Sequence, residues 1–168
     1  MTEHTTRAGT EEIRTEALRF EVDDLTSPEM LAFLAEHLTD MAANSPPDSV
    51  HALAPEALRD PSVTIWSVWE GSTLVGCGAL KTLDPEHAEV KSMRTAAGYT
   101  RRGIASALLT HIIAIARNRG YRRLSLETGS ADYYRPAIRL YQRHDFQQCP
   151  PFGEYTEDPH LVFMTLEL

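Results

Sequence analysis

Residues 99–109 read YTRRGIASALL. Arg101, Arg102 and Gly103 stand directly before a run that becomes strongly apolar. Ala105, Leu108, Leu109, Ile112, Ile113 and Ala116 recur at i, i+3, i+4, i+7, i+8 and i+11, one continuous stripe of a helix. Arg117 and Arg119 suit the negative end of its dipole, and Gly120 its C-terminal cap. Just upstream, AEVKSMRT reads as a strand. The junction is therefore strand, short loop, helix N-terminus. Such a junction offers unpaired backbone N–H groups at the positive end of a helix dipole, which is an anion site. Gly103 removes the side chain that would keep a phosphate from the backbone, and it permits unusual φ values. Ile104, Ala105 and Ser106 open the helix, the last two keeping its first turn small, while Arg101 and Arg102 add charge for phosphate oxygens. The stretch predicts a bound phosphate or diphosphate. It lacks the Lys-Ser/Thr of a P-loop and the three-glycine dinucleotide fingerprint, and a glycine serving only helix–sheet packing would leave the same local pattern.

Working outward, the chain is mixed α/β. ALRFEVDD opens on a strand at about Ala17 to Val22, and Ser27-Pro28 caps and starts a helix that runs to about Ala43. NSPPDSV breaks it, and a short helix is expected between Pro55 and Arg59. VTIWSVWEGSTLVGCGAL predicts a hairpin, with strands Val63–Glu70 and Thr73–Leu83 and with Trp66 and Trp69 on opposite faces. After the helix, RRLSLET is a strand, Pro136 to His144 a shorter helix, the region near Phe146 a strand, and LVFMTLEL the last strand. At 168 residues this is one domain, expected over 16–168, behind a Thr- and Glu-rich leader at 1–15 expected to be disordered. A net charge of −8 argues against nucleic acid as a partner. No run approaches a membrane span, and the start of the chain has no signal-peptide h-region. Cys77 and Cys149 form no metal or disulfide pattern, which predicts no metal and two reduced thiols in a cytoplasmic protein.

EVKSMRTAAGYTRRGIASALL followed by AIRLYQRHDF resembles the GNAT superfamily of N-acetyltransferases. That family's Gln/Arg-x-x-Gly-x-Gly/Ala motif cradles the diphosphate of acetyl-CoA, and Thr100 to Ala105 stand at its positions here. Thr100 departs from the usual Gln or Arg, with Arg101 and Arg102 able to supply the charge. The final third of the chain is also similar to bacterial members of the superfamily, so the resemblance spans about residues 17–168. It implies the GNAT fold: a mixed, mostly antiparallel sheet of about seven strands flanked by about four helices. It also implies acetyl-CoA as co-substrate, with backbone groups of Met93, Arg94 and Thr95 holding the pantetheine arm. A backbone N–H near Met93 would polarise the thioester carbonyl.

Acetyl transfer to an amine needs a fixed donor, a deprotonated amine and a proton for the departing thiolate. The resemblance implies Glu89 as candidate base, directly or through water, because related enzymes often carry a glutamate on this strand. Strict alternation would put Glu89, Lys91 and Met93 on one face and partly desolvate Glu89 beside the methionine. AIRLYQRHDF matches Ala-x-x-Leu-Tyr-x-x-x-Gly-Phe, which implies Tyr141 as candidate acid. Asp145 replaces the glycine, and Asp tolerates the positive φ expected at that helix end. Tyr134 stands where the family often has an Asn that touches CoA. Family analogy points the acceptor to His51, Tyr155 and His160. The expected activity is acetyl-CoA-dependent transfer to a primary amine of a small molecule or protein, with a non-catalytic acyl-CoA-binding module on the same fold as the alternative. Homodimerisation stays open.

Overall fold

The computed structural model describes residues 17–168, and the leader expected at 1–15 lies outside them. The elements follow as β1 Leu18–Val22, α1 Pro28–Asn44, α2 Pro55–Leu58, β2 Val63–Glu70, β3 Thr73–Asp84, β4 His87–Thr95, α3 Ile104–Asn118, β5 Arg123–Gly129, α4 Arg135–Arg143, β6 Gln147–Gln148 and β7 Leu161–Glu167. Single 3₁₀ turns lie at Pro47–Ser49 and Asp132–Tyr134. The strands form one sheet in the order β1-β2-β3-β4-β5-β7-β6. Every neighbouring pair is antiparallel except β4 with β5. This is the expected mixed, mostly antiparallel sheet of seven strands. Among the described residues no helix is long and apolar enough to cross a membrane.

Alternation along the strands sends side chains to two covered faces. On one, the α3 stripe of Leu108, Leu109, Ile112, Ile113 and Ala116 packs with Trp66, Val68, Leu80, Val90 and Leu126. On the other, Met30, Phe33 and Leu34 of α1 and Leu58 of α2 meet Ile65, Cys77 and Ala79. Trp66 belongs to the first face, while Trp69 is half-buried and donates its Nε1–H to Ser67 Oγ at 2.9 Å, so the two tryptophans do face opposite ways. Ser27 caps α1 by accepting from the Met30 N–H at 3.2 Å. Burial pushes the Cys77 thiol up to about 12, so it is inert as a nucleophile.

The expected alternation along β4 fails at one residue. Cys77 pairs with Arg94 but Ala79 with Lys91, so β4 carries one extra residue, and Ser92 there has φ +55°. Such a bulge reverses the side-chain parity beyond it. Glu89 and Lys91 keep to the α1 face, whereas Met93 turns to the α3 face and packs against that core. Glu89 is desolvated all the same, but by groups of the α1 face.

Candidate functional site

A cleft of about 760 Å³ runs between the N-terminal end of α3, the strands β4 and β5, and α4. It exists because β4 and β5 pair only as far as Glu89 with Ser125. Beyond that pair the cleft opens between them, lined by Val90 to Thr95 on β4 and by Glu127 and Thr128 on β5.

At one end lies the loop singled out in the sequence. Gly103 has φ +77°, and a Cβ built on it would meet no atom within 4 Å, so the approach to the first turn of α3 is open space. Arg101, Gly103, Ile104, Ala105 and Ser106 all line the cleft. Arg102 instead lays its guanidinium over the Tyr99 ring at 4.9 Å, outside the lining. The Ser106 hydroxyl is already bonded to His144 Nε2 at 2.8 Å, tying α3 to α4, so what Ser106 offers a ligand is its backbone N–H. Arg139 and Arg143 of α4 add two cations to the lining that sequence reasoning had passed over. An open glycine, free N–H groups at a helix start and several arginines fit a diphosphate.

In the middle are Met93, Arg94 and Thr95. The Arg94 guanidinium belongs to the fold: Nη1 donates to Asp40 at 2.7 Å, and the group lies over Phe33. Its Nε and the Ser92 hydroxyl are buried without a partner among the described residues. Tyr141 is buried but lines the cleft, and its hydroxyl has no hydrogen-bond partner among the described residues. Burial raises the phenol pKa, and the negative charge of Glu127 raises it further.

At the far end, Glu89 is 2% exposed and lies behind the lining. Its Oε2 accepts from Lys91 Nζ at 3.1 Å and from the Tyr155 hydroxyl at 2.6 Å, and Lys91 also donates to Tyr155 at 2.9 Å. The Tyr155 ring is wedged against His51, Phe152 and Phe163. Of the expected acceptor residues, His51 lines the cleft and Tyr155 stands one layer behind it. His160 is exposed away from it, its carbonyl accepting from Ser130 N–H. Tyr134, in the position expected for an Asn, lines the cleft and shares a 2.5 Å hydrogen bond with Ser45, joining the turn before α4 to the end of α1. His37 of α1 lines the cleft too, its imidazole pushed down to about 4 by burial and by Arg94.

Glu127 is a lining residue that no local motif singles out. It is partly buried in the lining, and burial pushes its carboxyl up to about 7; Glu89 and Asp158 push the same way against Lys91. In a strand read by alternation it is one more outward carboxylate. Only the lapse of pairing between β4 and β5 turns it into the cleft.

Residues 27–146 match the model of the Acetyltransferase (GNAT) family. The chain is 52% identical over 151 residues to the uncharacterized N-acetyltransferase YsnE of Bacillus subtilis (strain 168), covering 90% of this chain and all of that one. It is 51% identical over 146 residues to the uncharacterized N-acetyltransferase YedL of Escherichia coli (strain K12), covering 87% and 92%. A GNAT family acetyltransferase from Elizabethkingia anophelis, solved with acetyl-CoA bound, shares the fold at TM-score 0.63 and 19% identity over 91% of this chain and 99% of that one.

Proposed function

The chain belongs to the GNAT family of acetyltransferases, and we propose that it moves the acetyl group of acetyl-CoA directly to a primary amine of a small molecule or protein. The observation that carries this is the continuity of one cleft, from the N-terminal turn of α3 at Gly103, along Met93–Thr95, to Tyr141. When bound, acetyl-CoA supplies an activated acyl carbon. The backbone N–H groups of Gly103 to Ser106, with Arg101, hold the diphosphate, and Arg102 adds positive charge from its place over Tyr99 beside the cleft. The backbone of Met93, Arg94 and Thr95 aligns the pantetheine arm, and an N–H near Met93 polarises the carbonyl. Tyr141 gives a proton to the departing sulfur. Glu89 serves deprotonation of the amine at one remove, through Tyr155, a water, or the network that it fixes. The acceptor enters beside His51.

The test is a panel of primary amines and amine-bearing peptides with acetyl-CoA, followed by free-thiol release. Amine-dependent release is expected, and acetyl-CoA should raise the melting temperature because it binds only the folded chain. Gly103→Val should fold but lose that rise, since the new side chain fills the open approach and strains a left-handed φ. A bound but unreactive acetyl-CoA across the whole panel would favour the non-catalytic acyl-CoA-binding module.

A further inference from the structure

We propose that the segment joining α1 to α2 is a fastened cover over the acceptor end of the cleft, that Tyr134 closes it, and that the acceptor is therefore a small primary amine and not a polypeptide. This rests on the acetyl-transfer function proposed above and chooses between the two acceptor classes which that function leaves open.

The opening between β4 and β5 has two faces. Met93 and Tyr141 stand on the α3 face, with the first turn of α3. On the other face lie α1 and the segment 45–54, from which His37, Met41, His51 and Ala52 line the cleft. One side of this cover is tied to β4. Arg94 Nη1 donates to Asp40 of α1 at 2.7 Å, its Nη2 lies 3.6 Å from Glu36, and the guanidinium covers the Phe33 ring. The other side is tied to the flank formed by β5 and β7. The Ser45 and Tyr134 hydroxyls share a hydrogen bond at 2.5 Å, Ser49 donates to Asp158 at 2.6 Å, and the His51 ring meets Tyr155 edge-on at 5.2 Å. These anchors are joined to each other as well. Ser130 donates its N–H to the His160 carbonyl at 3.0 Å and its hydroxyl to the Pro159 carbonyl at 2.9 Å.

Tyr134 is built into its place. It is 5% exposed, and a Cβ on Gly129 would overlap its ring. The space that a side chain at 129 would take is thus filled by the phenol. Its hydroxyl then reaches Ser45 and lies 3.5 Å from Met41 Sδ. The asparagine that the family resemblance leads one to expect here is too short for that bridge. One tyrosine ring shuts the end of the cleft between β5 and α1.

A cover held on both sides of an opening encloses whatever lies beneath it. The whole cleft holds about 760 Å³, the size of a small-molecule site, and the acyl end of acetyl-CoA takes part of it. An acceptor with a compact body behind its amine fits the remainder and enters beside the exposed His51. A polypeptide must lift the cover first. Its rate then scales with the fraction of molecules whose cover is open. Each fastening removed raises that fraction about 3- to 10-fold, the range that one net hydrogen bond supplies.

The test measures kcat/KM with acetyl-CoA for short alkylamines and for short peptides that bear a free amino terminus or one lysine. The wild type should prefer the alkylamines by about 10²-fold or more. Ser45→Ala and Ser49→Ala each remove one fastening, and neither serine is among the described residues that line the cleft. Each should raise peptide kcat/KM about 3- to 10-fold, and the double variant by the product of the two, with alkylamine kcat/KM within about twofold of wild type. Tyr134→Phe removes the same bond as Ser45→Ala, so combining those two should add nothing to the peptide gain. The Ser49 and Val50 amides, which donate to the Pro46 and Pro47 carbonyls, report on the cover without turnover. Their hydrogen exchange should be slow in the wild type and faster in both serine variants. A wild type that takes peptides as well as alkylamines, serine variants with an unchanged peptide-to-alkylamine ratio, or cover amides that exchange like an unfolded chain would each overturn the proposal. A chain inert toward every amine of both kinds would strike the acetyl-transfer function itself, and the exchange of the cover amides would still decide whether the cover is fastened.

Discussion

Tyr141 holds its proton throughout the working pH range because its phenol is buried and faces a negative charge. A donor to the sulfur must be protonated at the start of every turnover, so this suits the role. Tyr141→Phe removes the hydroxyl with little change in packing against Phe146, whose ring centroid lies 5.8 Å away. The expected outcome is a kcat lowered roughly 10- to 10³-fold, with the acetyl-CoA melting shift intact. Unchanged turnover would hand the protonation to water. Asp145, four residues on, has φ +69°, as expected for the position where the family places glycine. That departure from the motif therefore leaves the end of α4 in its ordinary geometry.

Between elements, the closeness of α3 to the sheet depends on two residues of β3 with no side chain. A Cβ on Gly78 would stand 2.5 Å from Met93 Sδ and 2.9 Å from Leu108 Cδ2, and one on Gly76 would stand 3.1 Å from the Arg94 carbonyl oxygen. Gly78→Ala should therefore push Met93 and α3 apart and destabilise by about 1–3 kcal/mol, the usual cost of overpacking. Denaturant unfolding checks this, and a loss under about 0.5 kcal/mol would mean that Met93 can simply move aside. The elements themselves were legible in the sequence because their signals are local: the α3 stripe, the Ser27-Pro28 start and the Glu70-Gly71-Ser72 turn each lie within a few residues. The direction of Met93 was not. Alternation assumes an unbroken period of two, and one left-handed residue, Ser92, with nothing in its identity to announce it, reverses every side chain beyond. The same holds for the far end of the site. The arginine–glycine loop is one continuous stretch, whereas the Glu89–Lys91–Tyr155 network joins residues 64 to 66 apart. Whether Glu127 faces solvent or cleft depends on where two strands stop pairing.

Across the whole molecule, the two ends of the cleft carry opposite character: arginines around α3 and α4, carboxylates where β4 and β5 part. The acidic end has a consequence for stability. Glu127 binds a proton more readily folded, at about 7, than unfolded, near 4.5. Its contribution to stability is thus favourable at low pH and falls as pH rises through that window. The whole shift corresponds to at most about 3 kcal/mol. His37 does the reverse: held neutral down to about 4 against 6.5 unfolded, it makes stability rise with pH over nearly the same range. His87, His111 and His144 are also shifted down and act in the same sense. In the wild type the opposing slopes offset each other between about pH 4.5 and 6.5. Glu127→Gln mimics the protonated carboxyl at every pH. It should match the wild type near pH 4.5 and exceed it by up to about 3 kcal/mol at pH 8, which is several degrees in melting temperature for a chain of this length. Its own profile should show the histidine slope uncovered. Chemical denaturation of both proteins at pH 4.5 and pH 8 measures the difference. Equal stabilities at pH 8 would mean that the Glu127 carboxylate has found a partner in solution and stands ionised at no cost.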